Sequence, residues 1–366
     1  MLALTVSRLR HAAHATRRVR VSLQATAARG VGTRVGAEAV FRVRAEERLT
    51  LDAHGLDVVV VTENERCDSV TIGEPAESLA VVENEYDAAR GALRVLAKAR
   101  AVDAPGARPL LTLALPEKFH LRARMAEGDL RIEGRLEGDV DIVGGPRTNV
   151  DVKALTGLTL AVHTEDGRLT ASKRLEGDRV SIMTKGGLDV GLIHARHADL
   201  ASTGDVRVGS FYAVHASIDA GSLADVHLDV LSATNASILG RNVSVGSWSG
   251  SGSIRSTADE ADIKVYYSSD TGMASVDAPG ANATVQVDLD QGLEDMPVLV
   301  EAAKVDYGRG AEDRMPVTKD RRLHLINSGG DSTGLIMVRS IAGSVAVAWT
   351  SFLERIQKSM AQQNEE

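Results

Sequence analysis

Three histidines stand at spacings with chemical meaning: His194 and His197 lie three residues apart, and His215 follows His197 by 18. If the chain coils with a period near that length, successive coils stack two or three imidazoles within a few ångströms, the convergence a zinc site requires. His194, His197 and His215 are therefore candidate metal ligands, with His163 and His227 in the same region. The plainer reading leaves all five as solvent-facing side chains on strand edges. A second set is acidic. Asp129, Asp139, Asp141 and Asp151 recur about ten residues apart, and Asp205, Asp225 and Asp229 continue the habit. Stacked acids can bind calcium or protonate a glycosidic oxygen. Many of these, however, sit beside Gly, where turn chemistry alone favours Asp, and no paired Asp-Asp or calcium-loop pattern accompanies them. The stretch Gly246-Ser247-Trp248-Ser249-Gly250-Ser251-Gly252 has the outline of a phosphate cradle or a nucleophile elbow. Both need a long helix afterwards, and Ile254 with more strand follows instead. That stretch reads as a flexible turn with Trp248 as a contact point. The single cysteine, Cys67, excludes an intramolecular disulfide and a multi-cysteine metal site. No catalytic residue and no cofactor is assigned.

What must position these groups is a series of apolar–polar–apolar triplets between Gly128 and Val265. They include Leu130-Arg131-Ile132, Val140-Asp141-Ile142, Val150-Asp151-Val152, Leu158-Thr159-Leu160, Val180-Ser181-Ile182 and Val206-Arg207-Val208. Alternation at period two belongs to a strand with one buried face. The outer residues of each triplet should fill the core, and Arg131, Asp141 and Arg207 should face solvent. A longer period lies over the first: Gly167, Gly187, Gly204, Gly221 and Gly240 follow one another at 17 to 20 residues. A repeat of that length holding two or three short strands predicts an all-β fold, a parallel β-helix or β-solenoid whose coils stack on one another.

Composition narrows the partners. The chain has 366 residues, 43% of them apolar but only 3% aromatic, so exposed rings for stacking sugars or bases are scarce. Residues 1–35 carry seven arginines and no acid before Glu38, the pattern of a cleaved mitochondrial presequence. Taking those seven charges from a net charge of −8 leaves −15 for the mature body. So acidic a body repels phosphate backbones, which argues against nucleic acid. No apolar run reaches the length of a membrane-spanning helix. The longest candidate, Leu335 to Trp349, is interrupted by Arg339 and Gly343 and reads as two strands.

The most specific text joins two regions. Leu113-Ala114-Leu115-Pro116-Glu117-Lys118-Phe119-His120-Leu121 is followed by Gly128-Asp129-Leu130-Arg131-Ile132. A strand ending in Leu-Pro, a second strand, then Gly-Asp opening a β-repeat resembles the bacterial "putative adhesin" β-solenoids, a domain-of-unknown-function family. With its leader and C-terminal tail the chain looks closer still to the eukaryotic mitochondrial branch. The resemblance covers roughly residues 45 to 300; it implies a right-handed β-helix and no reaction. The organisation expected is a presequence over 1–35, starting or capping strands over 36–124, and solenoid repeats over 125–300. C-terminal strands over 301–350 and a helix with tail over 351–366 complete it. Ser351 and Glu354 make a capping box, and Phe352, Leu353, Ile356 and Met360 share one helical face. Placed directly after the final strands, that helix is expected to cover the last coil. A non-catalytic binding or scaffold role toward a protein partner is the functional expectation. An enzyme with a groove on one solenoid face, metal-dependent or carbohydrate-active, is the rival.

Overall fold

The computed structural model describes residues 32–33, 39–44, 46–63, 67–73, 80–100, 108–269, 272–293, 295–308, 318–319, 323–326, 334–350 and 354. The leader over 1–35 (apart from 32–33), the loop 101–107 and the C-terminal helix apart from Glu354 lie outside the described residues.

The chain enters through β1 (Gly32–Thr33), β2 (Ala39–Arg42), β3 (Arg48–His54), β4 (Asp57–Glu63), β5 (Ser69–Gly73), β6 (Ala80–Asp87), β7 (Ala92–Ala99), β8 (Leu110–Pro116) and β9 (His120–Met125). The regular part runs through β10 (Leu130–Glu137), β11 (Val140–Gly144), β12 (Val150–Thr164), β13 (Leu169–Thr184), β14 (Leu188–Ser202), β15 (Val206–Asp219), β16 (Val226–Leu239) and β17 (Val243–Arg255). It closes with β18 (Asp262–Ser269), β19 (Met273–Asp277), β20 (Thr284–Asp290), β21 (Val298–Tyr307), β22 (Thr318–Lys319), β23 (Leu323–Ile326) and β24 (Leu335–Thr350).

Each of β12 to β17 is one rung that serves two walls and turns a corner midway. Val150, Leu169, Leu188, Val206, Val226 and Val243 stand in parallel register on the first wall. Leu160, Val180, Ala198, Ala216 and Ala236 do so on the second. Both walls bury their inward residues in one continuous core. The protein is thus an all-β parallel solenoid, as the two superposed periods predict. One core column accepts the largest side chains: Leu175, Ile193, Phe211, Leu231, Trp248 and Tyr267 follow one another on successive rungs and are all buried. Few aromatics are needed because the other inward columns are filled by Val, Ile, Leu and Ala.

The triplets orient as their alternation dictates. Leu130, Ile132, Val140, Ile142, Val206 and Val208 are buried, Arg131 and Arg207 are exposed, and Asp141 is half-buried on the outer side. Leu158 departs from the pattern at 73% exposure while Leu160 is buried. It sits on the corner, where the backbone changes walls and alternation loses its phase. The glycine-rich stretch also departs from expectation: it lies within β17, paired to both neighbouring rungs. A Cβ on Gly250 would fall 1.8 Å from the Ala233 carbonyl oxygen, so close rung-to-rung approach explains the glycine there. Trp248 is fully buried, so it is a core residue and not an exposed contact point. Leu335 to Trp349 is one bent strand, not two. Its first half joins the second wall beside β19 and its second half joins the first wall beside β20.

The ends are interleaved. On one side β3 and β4 pair with β7 and β8; on the other they pair with β9 and β10. The coil formed by β3 and β4 is therefore sandwiched by later chain. At the far end β24 lies between β19/β20 and β21. The final strand is consequently not the last rung. Antiparallel strands finish the edges instead: β6 on β7, β5 on β8 and β23 on β21. Such strands occupy the unpaired donors and acceptors of an outermost rung, which otherwise invite pairing with another chain.

Candidate functional site: the corner ridge

Between the walls, β13 to β16 present a ridge of outward side chains. Arg179, His197, His215 and Asn235 occupy one column in direct register. The rings of His197 and His215 are stacked, with centroids 4.9 Å apart and planes 15° from parallel. His194 falls before the corner, in a second column with Glu176 and Tyr212. Its Nδ1 is 3.7 Å from Glu176 Oε1, and its ring meets Tyr212 edge-on at 6.4 Å. The 18-residue spacing thus brings two of the three predicted histidines together, and the corner holds the third apart. Two imidazole nitrogens on one tetrahedral zinc at about 2.0–2.1 Å stand roughly 3.3 Å apart. Rings held parallel at 4.9 Å must tilt toward each other to reach that separation. Among the described residues no three His, Cys, Asp or Glu side chains converge on a metal position.

The ridge also carries two arginines that sequence reasoning passed over. Arg179 and Arg196 make no ion pair among the described residues, whereas Arg174 reaches Glu176 at 3.4 Å. The signal was present, since Arg179 precedes His197 by the same 18 residues that separate His197 from His215. Asp178 and Asp199 flank the column as its nearest negative positions in the sequence.

The recurring carboxylates have a structural account. Asp57 Oδ1 accepts the backbone N–H of Asp129 at 2.9 Å, and Asp129 Oδ1 accepts that of Asn149 at 3.0 Å. Asn149 Oδ1 continues to the Arg168 N–H, Asp205 Oδ1 to Asp225, and Asn242 Oδ1 to Asp262. Asp139 does the same for Thr159. An Asp or Asn before a rung satisfies the entry N–H of the next one, which is why these acids follow the coil period. Asp141 pairs with Arg122 and Asp151 with Arg131, both at 3.2 Å. Cys67 is half-buried, its thiol 3.0 Å from Glu63 Oε2.

Beside this ladder the first wall has a shallow depression of about 430 Å³, lined among others by Arg207, His227, Ser244, Asp262 and Lys264. His227 Nε2 lies 3.0 Å from Asp229 Oδ1. At its edge Arg241 grips Asp225 through two hydrogen bonds of 2.8 and 3.0 Å. That hydrogen bonding is the main reason the Asp225 carboxyl sits below its ordinary value of 3.8, against the opposing pull of burial. A depressed carboxyl contributes stability above its unfolded-state value and loses it as pH falls through the folded one. Asp225→Asn is therefore expected to flatten the decline in melting temperature below about pH 4. Near neutral pH the cost should stay under about 1 kcal/mol, because the pair is exposed. An unchanged acid limb in thermal melts would contradict this role.

Fold and ridge together define a rigid parallel solenoid that holds its chemistry in open surface columns. Solved structures similar to the chain include a "putative adhesin" from Parabacteroides distasonis, at 13% identity, 86% coverage of this chain, 96% of that one and a TM-score of 0.33. A "putative adhesin" from Bacteroides fragilis follows at 11% identity, with 86% and 96% coverage and a TM-score of 0.24. A "putative cell adhesion protein" from Clostridium sporogenes has 10% identity, with 86% and 99% coverage and a TM-score of 0.18. No protein-family profile matches the sequence, and no curated protein does. The solenoid is accordingly read from this chain's own strand register.

Proposed function

We propose that the protein is a non-catalytic binding or scaffold protein of the mitochondrial matrix, and that the corner ridge is where it holds its partner. The observation that carries this reading is the stacked His197–His215 pair beside Arg179 and Arg196, which make no ion pair among the described residues. These groups stand on paired strands and face outward, Arg179, Arg196 and His215 exposed and His197 half-buried. Reaction sites gain from walls that exclude water, whereas an open ridge suits docking. The test is capture from mitochondrial extract with the full chain, beside an Arg179→Gln/His215→Asn variant. A protein retained by the wild type and lost by the variant supports the reading; equal retention overturns it.

A second reading, a carbohydrate-active or metal-dependent enzyme, draws on the His227–Asp229 pair in the first-wall depression and on the ridge histidines. Stoichiometric zinc in the purified protein, lost in His197→Ala and His215→Ala, would favour it. For localisation, residues 1–35 fused to a reporter are expected to direct it into mitochondria, because seven arginines precede the first acid. A reporter that remains cytosolic would sink this part of the proposal.

A further inference from the structure

The spacing within the ridge also identifies a ligand chemistry. Several arginines on or beside the regular rungs have acidic partners: Arg131 with Asp151, Arg168 with Asp189, Arg241 with Asp225. Arg179 and Arg196, like Arg207, make no ion pair among the described residues, although the chain as a whole is acidic. Arg179 occupies the rung next to His197, in register with it, and a fixed positive charge there repels a metal cation. Parallel rings at 4.9 Å are too far apart to chelate one ion without tilting. A tetrahedral oxyanion has the opposite requirement. Its oxygens spread around the central atom and each accepts an N–H from about 2.7–2.9 Å, so donors roughly 5 Å apart can serve one group.

We propose that Arg179, His197 and His215 form a site for a phosphate- or sulfate-type oxyanion, with Arg196 as an outer contact. The inference rests on the binding reading and names its ligand class. Arg179 and Asn235 stand in register with the imidazoles; the charged positions beside them in sequence are Asp178 on β13 and Arg196 and Asp199 on β14, and β15 adds the neutral Val214 and Ser217. His194 lies across the corner beside Glu176. Two positive and two negative neighbours offset one another, so the imidazole N–H donors and the Arg179 guanidinium carry the binding.

The experiment follows the imidazole resonances of the full chain during titration with sodium sulfate at constant pH. Sodium chloride of equal ionic strength is the control. Saturable shifts at His197 and His215, but not at His163 or His227, are expected. Arg179→Gln should weaken binding about tenfold and leave the melting temperature unchanged. Equal shifts with chloride, or an unaffected Arg179→Gln, overturn the oxyanion site. The absence of saturable shifts overturns it too, whether or not the ridge retains a protein, which the capture experiment reads separately.

Discussion

Gly128→Ala is expected to destabilise the solenoid by about 4 kcal/mol or more, enough to deplete the folded protein at ordinary temperatures. Gly128 has a φ of +110°, and a Cβ there would lie 2.0 Å from the Leu56 carbonyl oxygen. Neither obstacle can be relieved locally. Leu56 belongs to the coil of β3 and β4, which is held on both sides by later rungs. The neighbouring Asp129 N–H is already fixed by Asp57 Oδ1 at 2.9 Å. Gly221 supplies the contrast: its φ is +66°, and a Cβ added there would meet nothing within 4 Å. Gly221→Asn, with a side chain that tolerates this conformation, should cost under about 1 kcal/mol. Denaturant melts of the two variants give the comparison, and similar midpoints would refute the rung contact.

Trp248→Ala should cost about 3–5 kcal/mol, the range for removing a large buried aromatic. The indole is fully buried and stacks on Tyr267 with ring centroids 5.1 Å apart. Trp248→Phe is expected to be milder, at about 1–2 kcal/mol, because it also removes a buried Nε1–H that has no hydrogen-bond partner. If Trp248 served instead as an exposed contact for a partner, the alanine variant would keep its melting temperature and lose only capture. Thermal melts beside the capture assay separate the two roles.

The residues show why some features were legible in the sequence and others were not. The inward faces of Leu130, Ile142 and Val208 follow from alternation, a local property that any buried strand must write. The His197–His215 contact was equally legible, because a solenoid converts a constant sequence spacing into adjacency. Leu158 was misread because a corner resets the phase of alternation. The glycines of β17 were misread because glycine marks a turn and a close backbone approach with the same letter. The interleaving of β3/β4 and β24 leaves no local trace, since those strands alternate alike whichever rung they occupy. Rung order is fixed by long-range pairing, as are the counter-charges, which leave Arg179 and Arg196 without an ion pair among the described residues.

That rung order carries both the fold and the ridge, and electron paramagnetic resonance can measure it. In a Cys67→Ser background, spin labels go at position 217 together with 237, 253 or 275 of the second wall. Ser217 pairs in register with Ser237, Ser237 with Ser253, and the Gly252–Ala274 pairing places Ser275 one rung further. With rungs about 4.8 Å apart, dipolar broadening should be strong for 217 with 237, weaker with 253, and weakest with 275. Broadening that is absent for the first pair, or that does not fall along the series, would contradict the stacked columns on which the ridge depends.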